Sequence, residues 1–316
     1  MRTYRLNNYL MAALIGAAIT SCNSNDDTGT QDIQIPGITI DNDLDCCSAS
    51  EAMQVYSFLR TLKNIPELST VVDGQYNVFA YTRSGGFHTG YNELFFVATK
   101  QKSGNYIKDF SLTPITPVML MTQMGMKHST PVSGGVSTFN EDYSAVKRGW
   151  VSFLMSSGDA GSWSLSYDVS VLGKTGGISN IDITVDDLAS GQQWLKSFKV
   201  GDATYYLTLV DPTSWQTGTN TIQAYVSAKG SVGTEPYGLA TERFTIDIDP
   251  RMPDMGNHSS PGNEALTLQA DGSYQGTINL TMTGLWRIFL TVKDAQGNVV
   301  AGGDTDTSTL YWDVTI

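Results

Sequence analysis

The chain has 316 residues, of which 41% are hydrophobic, and a formal net charge of −12. This length allows two domains of ordinary size, each with its own core. The acidic balance argues against nucleic acid and against electrostatic docking on anionic lipid, because both need a basic face.

Residues 1–21 are predicted to be a bacterial lipoprotein signal peptide. Two arginines precede an apolar run that ends at Ile19 and is too short to span a membrane. The run closes with Ile-Thr-Ser-Cys, which resembles the lipobox of bacterial lipoproteins, where the cysteine becomes the lipidated N-terminus. We therefore expect lipidation at Cys22 and attachment to the membrane through this lipid. The alternative is a plain signal peptide with an incidental cysteine.

Residues 22–47 are predicted to be a flexible acidic tether, because they open with the polar run "NSNDDTGTQD". An acidic run directly after a lipidated cysteine resembles the surface-export signal of some Gram-negative lipoproteins. The expected location is the outer membrane, on the cell surface or alternatively on its periplasmic face. The adjacent Cys46 and Cys47 allow either a strained disulfide or a thiolate metal site.

One helix is predicted in "SASEAMQVYSFLRTLKNI", after a cap at Ser48 or Ser50, although the same segment could hold the first strand. Beyond it, short alternating segments such as "YNVFAYT", "NELFFVATK", "TIQAYVSA" and "LWRIFLTV" are separated by turns rich in Gly, Ser and Asp. Short strands with regular turns indicate an all-β protein built from β-sandwiches.

Three sequence blocks occur twice, in the same order and at similar offsets. This repetition predicts a duplicated domain. The matched pairs are "FHTGYNELFFVA" (87–98) with "WQTGTNTIQAYV" (215–226), "MTQMGMKHSTP" (121–131) with "MPDMGNHSSP" (252–261), and "GWVSFLMSSGDAGSW" (149–163) with "GTINLTMTGLW" (276–286).

Methionine and histidine are concentrated in these blocks, which contain all three histidines of the chain. Thioether sulfur favours Cu(I) and imidazole suits both oxidation states of copper, whereas a methionine-rich set without carboxylates suits zinc, calcium and magnesium poorly. In the first copy Met124, Met126 and His128 are two positions apart, so they would share one face of a strand. In the second copy Met252, Met255 and His258 are three positions apart, so they would share one face of an extended left-handed segment. The predicted copper ligands are Met121, Met124, Met126, His128, His88, Met252, Met255 and His258.

Other methionines are expected to pack in the core rather than bind metal. Met155 and Met282 each end an alternating strand shortly before a tryptophan, so we expect them to lie against Trp163 and Trp286. Met119, in "PVMLM", also suits a core position. His88 has Gln216 as its counterpart, so a site in the second copy would be one histidine short.

The motifs resemble those of YtkA-like and FixH-like periplasmic domains. The second copy carries the resemblance in Gly218-Thr219-Asn220, in "MPDMG" (252–256) and in the stretch 276–286, while the first copy has Thr122 in place of the proline. CopC-type copper carriers share the sandwich and the use of Met and His. The resemblance implies two tandem immunoglobulin-like β-sandwich domains, residues 48–176 and 177–316, with a role in copper handling.

The predicted function is a non-catalytic, lipid-anchored extracytoplasmic protein that holds Cu(I) for storage, delivery or tolerance, with a copper-donor or copper-acceptor protein as partner. The alternative is a surface lipoprotein that binds protein or glycan, without metal, through loops such as "PTSWQTG" and "EPYG". Catalysis is not expected, because the sequence has no His-Glu-x-x-His, no Gly-x-Ser-x-Gly and no phosphate-binding glycine loop.

Overall fold

A computed structural model describes residues 35–38, 48–188, 194–303 and 308–316. Strands account for 55% of the residues and helices for 8%, which confirms the all-β prediction. Cys22, Cys46 and Cys47 lie outside the described residues, as do the predicted signal peptide and most of the predicted tether. The described residues all belong to one compact unit.

Helix α1 spans Ala49–Leu59 and begins at the predicted serine cap. The Ser48 hydroxyl accepts a hydrogen bond from the backbone N–H of Glu51 at 3.3 Å, and the Glu51 carboxylate accepts one from the Ser48 N–H at 2.7 Å. This reciprocal pair is a capping box, which satisfies backbone donors that a helix start leaves unpaired. The same predicted segment also ends in the first strand, so it holds both a helix and a strand.

We call residues 48–188 lobe 1 and residues 194–316 lobe 2, because each half has its own hydrophobic core. The strands of lobe 1 are β1 (Lys63–Asn64), β2 (Thr70–Val72), β3 (Tyr76–Thr82), β4 (Phe87–His88), β5 (Gly90–Lys100), β6 (Tyr106–Ile107), β7 (Phe110–Leu112), β8 (Thr116–Met121), β9 (Lys127–His128), β10 (Ser137–Thr138), β11 (Val146–Phe153), β12 (Gly161–Val171), β13 (Lys174–Ile183) and β14 (Val185–Asp186). Short 3-10 helices cover Pro66–Leu68 and Glu141–Tyr143.

The described residues of lobe 2 form ten strands and a 3-10 helix at Pro253–Met255. They are β15 (Leu195–Val200), β16 (Ala203–Asp211), β17 (Gly218–Ala228), β18 (Thr245–Met252), β19 (His258–Ser259), β20 (Glu264–Leu268), β21 (Tyr274–Leu280), β22 (Leu285–Lys293), β23 (Val299–Gly302) and β24 (Tyr311–Thr315).

Lobe 1 is a sandwich of two antiparallel sheets. One sheet has the order β1-β3-β5-β11-β10 and the other the order β13-β12-β8-β9. Along β12, buried residues alternate with residues of greater exposure, as expected for a strand with one face in a core. Trp163 and Phe96 lie in the core between the sheets, and helix α1 covers the outer face of the first sheet through contacts with Phe95 and Val97.

In lobe 2 the strands join into one sheet instead of two. The order β15-β16-β17-β21-β20-β18-β22-β23 makes one continuous sheet, because β20 pairs with both β21 and β18. Trp286 and Trp312 are fully buried in its core. The immunoglobulin-like sandwich predicted from the sequence is therefore the fold observed, in a nearly closed form in lobe 2.

The hydrophobic clusters reach across the predicted segment boundaries. Strand β13 and Val185 pack in the core of lobe 1, next to the boundary predicted near residues 173–180 or slightly later. Ile35, inside the predicted tether, is only 3% exposed and packs in the cluster that includes helix α1. The division into residues 22–47, 48–176 and 177–316 stays a prediction.

Aromatic rings join the two lobes. The rings of Trp150 in lobe 1 and Tyr225 in lobe 2 stack with centroids 4.7 Å apart, and Tyr91 stacks on Tyr225 at 6.3 Å. Beside them the hydroxyls of Ser152 and Thr208 are hydrogen-bonded at 3.1 Å. Stacked aromatic pairs and a buried polar pair fix the lobes to each other.

A second contact between the lobes uses the loop "EPYG", which the sequence suggested as a partner-binding loop. Tyr237 of this loop is only 1% exposed and stacks on Tyr206. Its backbone accepts a hydrogen bond from Val132 and donates one to Thr130, both in lobe 1. In the other suggested loop, "PTSWQTG", Trp215 packs against the core of lobe 2. The aromatic residues of both loops therefore serve packing.

Candidate functional site

Strands β8 and β9 form a hairpin that brings predicted ligands together. Met119 pairs with His128, and Leu120 pairs with Lys127. The register continues one step further, since the Met121 N–H donates to the Met126 carbonyl at 2.9 Å. Directly opposite residues share a face and neighbours along a strand alternate. Met121, Met126 and His128 therefore lie on one side of the hairpin, together with Met119.

Exposure rises along this face from the core to the solvent. Met119 is fully buried and Met121 packs partly against the lobe 1 core. Met126 is 56% exposed, and Met124 at the tip of the turn is 57% exposed. The hairpin thus offers a graded row of thioethers, of which the outer members are open to solvent.

His128 is oriented by two contacts. Its ring meets the ring of Trp163 edge-on, with centroids 5.5 Å apart. Its Nδ1 lies 3.1 Å from the Ser129 carbonyl oxygen. A carbonyl oxygen only accepts, so this bond is made when Nδ1 carries the proton, which leaves the lone pair on Nε2. This is the tautomer in which Nε2 can bind a metal ion.

The corresponding hairpin of lobe 2, β18–β19, is shorter and arranged differently. Met252 pairs with His258, as Met119 pairs with His128. Met252 is only 3% exposed and lies in the lobe 2 core, while His258 is exposed. The intervening segment is a 3-10 turn instead of the extended left-handed segment expected from the spacing. Met255, 54% exposed, therefore does not share a face with Met252.

Packing identifies Met119, and not Met121, as the structural counterpart of Met252. Met119 lies opposite Trp163, and its terminal methyl group lies 2.8 Å from where a Cβ on Gly161 would be. Met252 comes opposite Trp286, one step beyond the Arg251–Arg287 pair, and its methyl lies 3.0 Å from the Cβ position of Gly284. The pair Met121–Met126 thus has no equivalent in lobe 2.

The methionines expected to pack near tryptophan do so. Met155 and Met282 are partly buried against the cores of lobes 1 and 2. The backbone carbonyl of each accepts a hydrogen bond at 2.9 Å from the indole N–H of Trp163 or Trp286. The predicted core role of these two methionines is confirmed.

His88 lies in a cleft between the lobes whose lining includes none of the hairpin methionines. Its Nδ1 is 2.8 Å from the Thr89 carbonyl. Its backbone N–H donates to the Asn92 side chain at 3.0 Å, and the Asn92 amide donates back to the His88 and Gly90 carbonyls. The structure therefore separates His88 from the other predicted ligands of lobe 1.

The hydrogen bonds that Asn92 makes to the backbone recur in lobe 2, which explains why Thr-Gly-x-Asn occurs in both lobes. We call this arrangement the brace. In lobe 2 the Asn220 side chain accepts from the Gln216 N–H and donates to the Gln216 and Gly218 carbonyls. Gly90 and Gly218 have φ angles of 82° and 90°, which a side chain would disfavour. The repeated block encodes a bend before a long strand and needs no ligand to account for it.

Replacing Asn92 or Asn220 with alanine is expected to lower the free energy of unfolding by about 1–3 kcal/mol each, because backbone groups near the bend lose their partners. Urea unfolding of the two variants measures this, and Asn77→Ala in strand β3 is the control. Similar losses in both lobes are expected. A loss no greater than that of the control would contradict the proposed brace.

In the part of the chain that the structure describes, no three His, Cys, Asp or Glu side chains lie close enough together to hold a metal ion. Over the same residues, no helix has the length and apolar character that crossing a bilayer requires.

No protein-family model and no curated protein matches the sequence. Among solved structures, the chain is similar to dimeric latent PorU from Porphyromonas gingivalis, with 13% identity and a TM-score of 0.19. That similarity covers 81% of this chain and 24% of the other, so the chain spans about a quarter of that protein's length. A TM-score this low carries no argument about fold or function. The resemblance to YtkA-like and FixH-like domains stays a prediction.

Sequence patterns missed two features of the site. They did not reveal that Met119 shares the hairpin face, although the alternation in "PVMLM" is a signal for it. They also gave no sign of the ring contact between His128 and Trp163, which joins residues 35 positions apart in the chain.

Proposed function

We propose that the protein is a non-catalytic, extracytoplasmic Cu(I)-binding protein whose main ligands are on the β8–β9 hairpin. The observation that carries the proposal is the hairpin register, in which Met121 faces Met126 and His128 follows on the same side. Residues directly opposite in such a pair have Cβ atoms about 4.5–5.5 Å apart. Two flexible thioethers and one imidazole can then converge on a single ion, and this soft donor set favours Cu(I).

The exposure of the hairpin suits transfer better than permanent storage. Met121 and His128 are half-buried, which limits their motion, while Met126 and Met124 are more than half exposed. A partner could approach from the solvent side and exchange ligands one at a time. Lipidation at Cys22, a location at the outer membrane and a copper-donor or copper-acceptor partner belong to this proposal and are supported by the sequence patterns.

Lobe 2 is expected to contribute little affinity. Its core holds Met252, which leaves Met255 and His258 as exposed candidates without a paired thioether across the hairpin. The proposal therefore assigns one high-affinity ion per chain, in lobe 1, rather than one per lobe.

Anaerobic Cu(I) titration against a chromophoric chelator tests the assignment. Changing Met121 and Met126 together to leucine is expected to weaken Cu(I) binding by about 100-fold or more. Mutation of a residue that only hydrogen-bonds to a metal ligand already weakens metal binding by about 10–100-fold, and here two ligands themselves are lost. Methionine and leucine have similar volumes, so the fold should be retained. Met255→Leu is the matched control, because it removes a similarly exposed thioether from lobe 2.

Two results would contradict the proposal. One is wild-type affinity in the Met121→Leu/Met126→Leu double variant. The other is an equal loss in the Met255→Leu control, which would place the ion outside the hairpin of lobe 1.

A further inference from the structure

A cleft of about 670 Å³ lies between the two lobes, beside the aromatic contacts that join them. This volume falls within the range of about 300–1,000 Å³ that small-molecule sites occupy. The copper hairpin does not reach it, although His88 and Thr213 of the loop "PTSWQTG" are among its lining residues. The lining residues that matter for its chemistry are Tyr91, Arg83, Glu93 and Arg148 of lobe 1, with Trp194 and Asp211 of lobe 2.

The lobe 1 wall carries two arginines around one carboxylate. The Glu93 side chain is 13% exposed and accepts hydrogen bonds from Arg83 Nε at 2.6 Å and from Arg148 Nη1 at 3.4 Å. A guanidinium has five N–H donors, so both arginines keep donors for another group. This wall can therefore donate hydrogen bonds while its own carboxylate is held in place.

The lobe 2 wall offers an acceptor. Asp211 is solvent-exposed and lines the cleft, and its carboxylate forms no hydrogen bond among the described residues. Partial burial and the nearby charge of Glu93 raise the pKa of Asp211, while Arg83 partly offsets this effect. A ligand hydroxyl can donate a hydrogen bond to this carboxylate in place of water.

Aromatic side chains complete the cleft. The indole N–H of Trp194 donates to the Asp313 carbonyl at 3.3 Å, which fixes the ring while it lines the opening. Tyr91 lies on the opposite side, held in the ring stack with Tyr225, and burial raises the pKa of its phenol, so the hydroxyl stays protonated. The cleft thus combines flat apolar faces with donors and one free acceptor.

We propose that this cleft binds a short neutral oligosaccharide. Sugar hydroxyls both donate and accept, so neighbouring hydroxyls can bind Asp211 and an arginine at once, and the apolar face of a sugar ring can pack on Trp194. The two arginines balance the two carboxylates, so the walls carry no net charge that would favour an ionic ligand. This inference rests on residues separate from the copper hairpin.

Saturation-transfer NMR on the soluble protein tests the proposal with maltotriose, cellotriose, xylotriose, mannotriose and N-acetylchitotriose as probes. At least one should bind with a dissociation constant below about 1 mM. Asp211→Ala is expected to weaken that binding at least about tenfold, because a hydrogen bond to a charged group is lost. The control Asp202→Ala, which removes an exposed carboxylate from the same lobe, should leave it unchanged.

Three outcomes would overturn the proposal. The first is that none of the five trisaccharides shows saturable binding. The second is that a trisaccharide binds but Asp211→Ala leaves its affinity unchanged. The third is that free glutamate or lysine binds in place of the sugars. Asp211→Ala is expected to keep wild-type affinity for Cu(I), so failure here is distinguishable from failure of the copper assignment.

Discussion

Replacing Trp163 with alanine is expected to lower the free energy of unfolding by about 3–5 kcal/mol, as for other large side chains removed from cores. The side chain is fully buried between the sheets of lobe 1 and packs edge-on against Phe153, with ring centroids 5.1 Å apart. Its indole N–H also holds the Met155 carbonyl at 2.9 Å. Alanine would leave a cavity and a carbonyl without its partner, both of which destabilise the fold.

The same substitution is expected to weaken Cu(I) binding, because His128 loses the ring that orients it. Urea unfolding and Cu(I) titration on one preparation measure the two effects. Trp286→Ala is the matched control, since its indole is equally buried in lobe 2 and donates to the Met282 carbonyl in the same way. It should cost similar stability and leave Cu(I) affinity unchanged.

Should Trp163→Ala prevent folding, Trp163→Phe keeps an aromatic ring in the core and loses only the N–H group and part of the volume. Unchanged Cu(I) affinity in a folded Trp163 variant would mean that the ring does not orient His128. A loss of affinity in Trp286→Ala would instead point to ligands in lobe 2.

Replacing Met252 with alanine is expected to lower the free energy of unfolding by about 2–5 kcal/mol while leaving Cu(I) binding unchanged. Met252 is buried at 3% exposure in the lobe 2 core, where its methyl group lies over Gly284. Its thioether therefore fills space and is out of reach of an ion at the surface. Urea unfolding and chelator competition measure the two quantities separately.

Met126→Ala is the complementary control. At 56% exposure its removal is expected to change stability by less than about 0.5 kcal/mol, as for most surface substitutions, yet to weaken Cu(I) binding. The volume-conserving Met252→Leu keeps lobe 2 folded with a cost under about 1.5 kcal/mol. Loss of Cu(I) affinity in Met252→Leu would show that Met252 is a ligand after all.

The fold was predictable because its signals are local. Alternating strands, regular turns and the serine cap with Glu51 three positions later each depend on residues close together in the chain. The repeated blocks predicted a duplication, and one of them, the Thr-Gly-x-Asn bend, recurs with the same hydrogen bonds around Asn92 and Asn220.

The hairpin register was not predictable from those patterns. The motif Met-x-x-Met-Gly matched Met121 to Met252, but packing against tryptophan and glycine matches Met119 instead. A strand has a side-chain period of two, so a shift of two residues keeps every side chain on its face and leaves the hydrophobic pattern unchanged. Only contacts with strand β12 distinguish the two alignments.

The cleft was beyond sequence reasoning for a different reason. Arg83, Glu93 and Arg148 come from separate parts of lobe 1, and Asp211 comes from lobe 2. Their meeting depends on how the lobes pack, which no periodicity within one lobe reveals. His88, assigned to copper on its place in a repeated block, lies in this cleft for the same reason.

The stack of Trp150 on Tyr225 and the hydrogen bonds of Tyr237 with Thr130 and Val132 hold the two lobes together. These contacts are formed without a ligand, so they help to set the walls of the cleft before a ligand enters. Such preorganisation lowers the cost of binding, because less of the interaction energy is spent on ordering the protein.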